Sequence, residues 1–472
     1  MEKECVKDYR FFIGIGLTVF SSILLCCVNI NSSSNHDEAA NVVGGLAIWK
    51  YGRFDLYCVN PPITRMMASL PIARLERPDV DWTLYEEHVE SDKVGSRPEF
   101  SLGLGFVRRN TENLRWYLFI ARLSCLPFWL AGCYFIQRWA KELYGEWAGL
   151  TALTLWCFSP NLLTWGSMVM PDLPATSLGL MAGYFFWKWL RIPENGNAFV
   201  AGVTLGLALL TKLTWVILLP LFPLLWIIWS FFHTGKRSWK LWSSQSGQMF
   251  LLLTISLFVL NLGYGFEGTL TKIGHYQFAS RMLAGKDSVV EEQHGGNLLA
   301  ETTFASIPVP FPRNYIVGID LQKVDFEKGL SSYLNGQWSN HGWWYYYLEC
   351  AALKIPLGTW GLGILALVFS IIARTPKKTE CPEQNVHWLD EMILLLPAII
   401  LLIFVSSQTG FSRHFRYVLP AFPFFFIGIS RIAEISVKKG KIFKITVVGL
   451  LVWSIMSKSI NTNITRCFAR VF

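Results

Sequence analysis

The sequence predicts an all-α polytopic membrane protein with about 11 transmembrane helices and two large extracytoplasmic loops. Three observations lead there. Only 16% of the 472 residues are charged and 52% are hydrophobic, whereas soluble domains average about 25% charged. Mean hydropathy is +0.35. Long apolar runs alternate with short basic clusters along the whole chain. The net charge of +9 is therefore topological, and no nucleic-acid partner is expected. The 21 Trp residues suit two interfacial belts, where amphipathic rings sit at headgroup level. The 10 Cys residues are scattered without a CxxC pair, so no disulfide framework can be read.

Phe11–Val28 is the first span, preceded by Lys3, Lys7 and Arg10. It exceeds the apolar core of a cleaved signal and is long enough to cross a bilayer. It reads as an uncleaved anchor with a cytoplasmic N-terminus. Residues 31–115 then form a polar outer loop. Within it Ala39–Tyr51 reads as an amphipathic helix lying on the membrane, with Val42, Val43, Leu46 and Trp49 at helical spacing. Asn60-Pro61-Pro62 breaks it, and a second helical stretch runs to about Leu75. Residues 76–101 read as exposed charged loop, and Gly103-Leu104-Gly105 as loop with no following helix.

Ten further spans are expected: Trp116–Gln137, Trp147–Trp165, Leu173–Trp189, Ala198–Leu210, Trp215–Phe232, Met249–Tyr264, Ile355–Ala373, Met392–Ser406, Tyr417–Ile432 and Phe443–Met456. Ala198–Leu210 is short and could pair with the next as one hairpin. Residues 265–345 form the second large outer loop. It holds an extended Pro308-Val309-Pro310-Phe311-Pro312 stretch and ends in an aromatic belt, Trp343-Trp344-Tyr345-Tyr346-Tyr347. No internal repeat or separate soluble domain is apparent, so residues 1–472 read as one integral-membrane domain.

Cytoplasmic loops of membrane proteins are enriched in Lys and Arg. The span order puts Arg138 and Lys141, Lys188 and Arg191, Lys236, Arg237 and Lys240, Arg374, Lys377 and Lys378, and Lys438, Lys439 and Lys441 on that side. Two short outer positions break the rule: Lys212, and the Arg413-His414-Phe415-Arg416 cluster. These cations either bind an anion or simply meet lipid headgroups.

The acidic residues sharpen the reading. Asn35-His36-Asp37-Glu38 lies just outside the first span. A carboxylate at an apolar boundary gains basicity by desolvation, which suits Asp37 as a general base. Glu38 points about 100° away on a helix, so it assists or is solvated. Asp172, between Pro171 and Pro174 at an outer helix start, is a helix cap, a site residue, or both. Arg122, about two turns into the second span, either faces a donor or a carboxylate or snorkels to the surface.

Three ordered sets of residues resemble the GT-C glycosyltransferases, in particular the protein O-mannosyltransferase and lipid A aminoarabinose transferase group. They are Asp37-Glu38 followed by Asn60-Pro61-Pro62; Leu143-Tyr144-Gly145, Ser159-Pro160 and Met170-Pro171-Asp172; and His414-Phe415-Arg416-Tyr417-Val418-Leu419-Pro420. The resemblance implies a GT-C fold and inverting transfer of a sugar from a polyprenyl-phosphate donor to a protein, lipid or glycan acceptor on the extracytoplasmic face. It implies catalytic roles for Asp37, Glu38 and Asp172. Lys212, Arg413, His414, Arg416 and Arg122 would then serve the donor phosphate. The lipid-linked sugar phosphate is the donor substrate, and a divalent metal between Asp37 and Asp172 is admitted without being required. The membrane is of the inner, plasma or endoplasmic-reticulum type. The second outer loop departs from any soluble domain of the eukaryotic mannosyltransferases, so the acceptor does not carry over. A transporter or flippase of lipid-linked saccharides is the alternative, against which the lack of repeats speaks.

Overall fold

Apolar runs in lipid must satisfy their backbone groups internally, and helices do so. The computed structural model describes residues 2–91, 94–233, 239–285, 295–373 and 388–468. It is mostly helical. The expected basic residues Lys236 and Arg237, and Arg374, Lys377 and Lys378, lie outside the described residues. Among the described residues, six helical stretches are long and apolar enough to cross a membrane: Tyr9–Ile30, Leu114–Tyr144, Leu213–Phe232, Trp242–Gly263, Trp388–Ser407 and Phe415–Lys438. A bent pair, Tyr346–Lys354 with Leu357–Ile372 at 110°, makes a seventh if taken as one span. The other expected spans fall on shorter or more polar helices. Two of them are Glu146–Cys157 and Asn195–Leu209, of 12 and 15 residues.

Proline and serine set the breaks. The expected Trp147–Trp165 span divides at Phe158, because Ser159 caps a new helix with Pro160 in its first turn. The segment Trp116–Gln137 likewise runs as Leu114–Leu123 and Leu126–Tyr144, with Pro127 opening the second piece.

Residues 31–115, expected as an outer loop, are more ordered than their composition suggested. Asn35 caps the helix His36–Tyr51 in a capping box with Glu38, and Gly52 ends it at φ 69°. Every residue from Glu38 to Ile48 is buried. The helix is therefore an interior one and does not lie amphipathically on the membrane. Gly45 allows this, since a Cβ there would stand 2.1 Å from the Arg65 carbonyl oxygen on the helix Ile63–Leu75. Residues 76–101 are not simply exposed loop, since they contain the helix Thr83–Ser91. Gly103 and Gly105 fall inside the helix Glu99–Arg109, which packs on His36–Tyr51.

The bundle core is aromatic. Trp129, Trp139, Trp156, Trp189 and Trp215 are fully buried, so part of the tryptophan content fills the core rather than an interfacial belt. Three of these indoles donate: Trp129 to Ser21 (3.2 Å), Trp189 to Gln248 (2.9 Å) and Trp215 to the Ala175 carbonyl (2.8 Å). Residues 265–345 carry the helix Arg313–Lys328 and, among the described residues, a short β-hairpin of Ser332–Leu334 with Gln337–Ser339.

The helix Asp172–Arg191 fixes the polarity of the bundle. Its 20 residues span about 30 Å at ~1.5 Å per residue. At its C-terminal end Lys188 and Arg191 pair with Glu142 (3.5 Å) and Asp390 (2.7 Å). Its N-terminal end holds Asp172.

Candidate active site

Four segments far apart in sequence meet at that N-terminal end. Asp37 comes from the first turn of His36–Tyr51, and Asp172 from the first turn of its own helix. Lys212 immediately precedes the 3-10 turn Leu213–Ile217, and Arg416 lies on the 3-10 helix Phe415–Ala421. Arg416 donates to the Asp37 carboxylate through Nη2, and its Nε stands 3.9 Å from Asp172 Oδ2. Lys212 Nζ reaches Asp172 Oδ1 at 2.7 Å. Two carboxylates and two cations therefore alternate. Asp172 caps nothing through its side chain.

Exposure separates the two acids. The Asp172 side chain is 2% exposed and that of Asp37 is 25% exposed, so Asp37 is the one an outside molecule can reach. Burial raises the Asp37 carboxyl, but the charge and hydrogen bond of Arg416, with His414 and His36 beside it, bring it below the ordinary carboxylate range. The basicity expected from desolvation is thus overridden while Arg416 is paired with Asp37. His414 is partly buried. Burial first, then Arg416, push its imidazole down to about 4, which leaves it neutral at pH 7. Arg413 is exposed, and its carbonyl accepts from the Tyr346 hydroxyl at 2.8 Å.

Glu38 is not solvated. It is fully buried and takes Arg122 in a two-pronged pair, at 2.7 and 2.6 Å. Arg122 also donates to the carbonyls of Asn29 (2.8 Å), Ser32 (3.0 Å) and Ser33 (3.0 Å). It therefore meets a carboxylate and helix-end carbonyls, and does not snorkel. Glu38 Oε1 further accepts from the Val169 amide at 2.9 Å. That bond ties the Asp37 turn to the Met170-Pro171-Asp172 turn.

Some neighbours had no signal in the sequence. The Arg416 guanidinium lies over the Trp165 ring at 5.0 Å and the Tyr417 ring at 5.6 Å, and Lys212 sits 5.2 Å from Tyr417. Met170 Sδ is 3.4 Å from Arg416 Nη1. Tyr417 and Met170 fell within motif segments, but their contacts needed the fold. Arg97 links the segments 31–115 and 265–345 by pairing with Glu99 and with Asp325 (3.2 Å).

Among the described residues, no three His, Cys, Asp or Glu side chains are grouped to hold a metal. Arg416 occupies the space between Asp37 and Asp172 that a divalent ion would need. The residues therefore do not fit a metal there, and no step below is routed through one.

Residues 117–262 match the family model of dolichyl-phosphate-mannose-protein mannosyltransferases. That stretch includes Arg122, Asp172 and Lys212. The archaeal oligosaccharyltransferase AglB from Archaeoglobus fulgidus, solved with an inhibitory peptide and a dolichol-phosphate, aligns over 96% of this chain with a TM-score of 0.50 and 10% identity. The fold is GT-C. This chain spans 56% of the AglB chain. ArnT from Cupriavidus metallidurans is also similar, in its undecaprenyl phosphate complex (13% identity, TM-score 0.32) and its apo state (14%, 0.33). Both cover 89% of this chain and 77% of that one. No curated protein sequence matches. The resemblance read from the ordered motifs is borne out by the family match over residues 117–262 and by the likeness to the AglB fold. The mannosyltransferase match covers one stretch of the middle of the chain, leaving Asp37 and Arg416 outside it.

Proposed function

We propose that the protein is an inverting glycosyltransferase that moves a sugar from a polyprenyl-phosphate carrier to an acceptor on the extracytoplasmic face. One observation carries the reading. A solvent-reachable carboxylate, Asp37, and a cation held for an anion, Arg416, share a hydrogen bond at the mouth of a buried charge cluster. Inverting transfer needs those two functions side by side: a base for the nucleophile and positive charge for the departing phosphate.

The steps follow from the residues. The donor phosphate enters beside Arg416 and Lys212, and Arg416 swings part of its hydrogen bonding from Asp37 to the phosphate. Its Nε–H, buried and without a hydrogen-bond partner, is the group already free to do so. Losing the guanidinium raises the basicity of Asp37. Asp37 then takes the proton of the acceptor as the acceptor atom bonds to the anomeric carbon. The anomeric C–O bond breaks on the opposite face, its electron pair leaves with the polyprenyl phosphate, and Arg416 and Lys212 hold the new charge. Asp172 keeps those two cations in register. Glu38 and Arg122 position the Asp37 turn rather than touch substrate. Arg413 and His414 line the outer approach. Lys188 and Arg191, at the opposite end of Asp172–Arg191 from Asp172, support a site facing outward.

The test is reconstitution. Purified protein in liposomes, offered polyprenyl-phosphate sugars of several kinds with a mixed acceptor pool, is expected to release free polyprenyl phosphate and a glycosylated product. Release from none of the donors would remove this reading.

A further inference from the structure

A second cation is buried away from this site. Arg65 lies on the helix Ile63–Leu75 and is 0% exposed. Its stem runs beside Gly44, where a Cβ would stand 3.5 Å from Arg65 Cδ and 3.6 Å from Tyr57 Cβ. Nη1 donates to the Tyr57 carbonyl, while Nε and Nη2 have no hydrogen-bond partner among the described residues. The acids of the neighbourhood are committed elsewhere. Glu99 pairs with Arg97, and Asp55 pairs with Arg53 (2.7 Å) and accepts from Tyr85 (2.7 Å). Glu267 accepts from the Phe54 amide (3.1 Å) and from Asn314 (3.2 Å). A guanidinium does not shed its proton in a protein, and a buried charge without a counter-charge is strongly disfavoured.

Two more buried polar groups belong to this region. The hydroxyls of Tyr264 and Tyr315 are both buried without a partner. Tyr264 follows the helix Trp239–Gly263, and Tyr315 lies in the first turn of Arg313–Lys328. Their rings meet edge to face at 6.2 Å. Gly318, one turn on from Tyr315, brings that helix onto the turn before the Arg65 helix, since a Cβ there would stand 2.2 Å from the Cys58 carbonyl oxygen. Burial pushes the Arg65 guanidinium below its ordinary value.

We propose that Arg65, Tyr264 and Tyr315 enclose a site for one monovalent, chloride-sized anion. The charge of the site is a single positive unit, so a monovalent anion neutralises it and a dianion would leave buried charge. The guanidinium N–H groups and the two phenolic O–H groups supply donors, and the aromatic rings supply the walls. The anion has a structural role. Arg65 also holds the Tyr57 backbone, which sits in the left-handed region at φ 63°, a conformation that needs its surroundings to fix it. Tyr57 packs on Phe100 (5.6 Å), on which His36 stacks at 4.8 Å next to Asp37. The anion therefore braces the wall beside the exposed carboxylate. The inference does not depend on the glycosyl-transfer reading.

The experiment uses the full chain in detergent, dialysed free of halide, with chloride replaced stepwise for gluconate at constant ionic strength. A ligand that binds the folded state raises the unfolding midpoint. The midpoint is expected to rise saturably with chloride, and bromide is expected to substitute. Tyr264→Phe should raise the half-saturating chloride concentration about tenfold, the size of one lost hydrogen bond to a charged group. Arg65→Met should abolish the dependence. An identical midpoint in chloride and gluconate overturns the proposal. Should Arg65→Met fail to fold, Tyr264→Phe decides: unchanged half-saturation overturns the assignment. Anomalous scattering from bromide at Arg65 supports it, and bromide bound only elsewhere overturns it.

Discussion

Arg416 hydrogen-bonds Asp37 across 379 residues of sequence, and the same guanidinium lies 3.9 Å from Asp172. The first and last thirds of the chain are joined at the exposed carboxylate. In this arrangement Asp37 is ionised but held by its partner, so its reactivity is coupled to whatever draws Arg416 away. An anionic donor does so, and water does not.

Asp37→Asn keeps the shape of the side chain and removes the base. Transfer is expected to fall by about 10²–10⁴-fold, while binding of the polyprenyl-phosphate sugar is retained or tightened because Arg416 loses its competitor. Transfer near the parental rate, measured with radiolabelled donor, would sink the assignment of Asp37.

The pH dependence has a defined sign. The folded Asp37 carboxyl titrates below its ordinary range, so the stability that this pair contributes is present above that range and lost as pH falls through the lowered value. Unfolding midpoints should fall from about pH 6.5 downward, because the unfolded state protonates His414 while the fold holds it at about 4. They should fall further below about pH 4 as Asp37 protonates, this second fall being blunted in Asp37→Asn. His414, at about 4, adds no limb to kcat/KM between pH 5 and 8. A limb near pH 6.5 that disappears in His414→Asn would show that its imidazole titrates normally.

Glu38 and Arg122 form a buried pair, and removing one partner leaves the other charge uncompensated. Arg122→Met and Glu38→Gln are each expected to destabilise by about 3–5 kcal/mol. The double variant should recover part of that loss, because the remaining charge is gone. Thermal unfolding of the four proteins measures this, and strictly additive losses would show that the pair is not coupled.

How much of this was legible follows from where each signal resides. Asp37, Asp172 and Arg416 stood out because charged residues are conspicuous in an apolar chain, and because Arg416 broke the charge asymmetry of the loops. Their roles remain proposals, but their meeting point is in the fold. Residues that were misread share one feature: their environment is made by partners distant in sequence. Glu38 looked solvated because nothing local announces Arg122 or the Val169 amide. The helix His36–Tyr51 looked amphipathic because its polar residues are few, and the neighbours that bury its other side come from Ile63–Leu75 and Glu99–Arg109. Trp165 carried no pattern at all until Arg416 was placed over it.

Topology gives a prediction independent of chemistry. Glu301 lies in the segment 265–345 that is proposed to face outward, and Glu194 lies between the helices Asp172–Arg191 and Asn195–Leu209. A cysteine at Glu301 should react with an impermeant maleimide in sealed cells, and one at Glu194 should react only after permeabilisation. The reverse pattern would put Asp37 on the cytoplasmic side and end the proposed donor side with it.

The two cations of the site should not be equivalent. Arg416 presents a planar fork and already has one N–H unengaged, whereas Lys212 is a point charge spent on Asp172 at 2.7 Å. Arg416→Ala is expected to weaken donor binding by about 10–150-fold, the equivalent of a lost charge-assisted hydrogen bond or two of ~1.5–3 kcal/mol in total. It also frees Asp37, so acceptor binding should survive. Arg416→Lys should recover only part of the affinity, since a lysine cannot hold carboxylate and phosphate together. Lys212→Ala acts mainly through Asp172. It leaves that buried carboxylate with Arg416 alone and draws the guanidinium toward Asp172 and away from the phosphate. Its donor affinity should therefore fall as well, and a second change, Asp172→Asn, should restore part of it. Isothermal titration with a soluble short-chain polyprenyl phosphate distinguishes these cases. If Arg416→Ala binds the lipid phosphate as tightly as the parent, the anion site lies elsewhere and Arg416 serves only to hold Asp37.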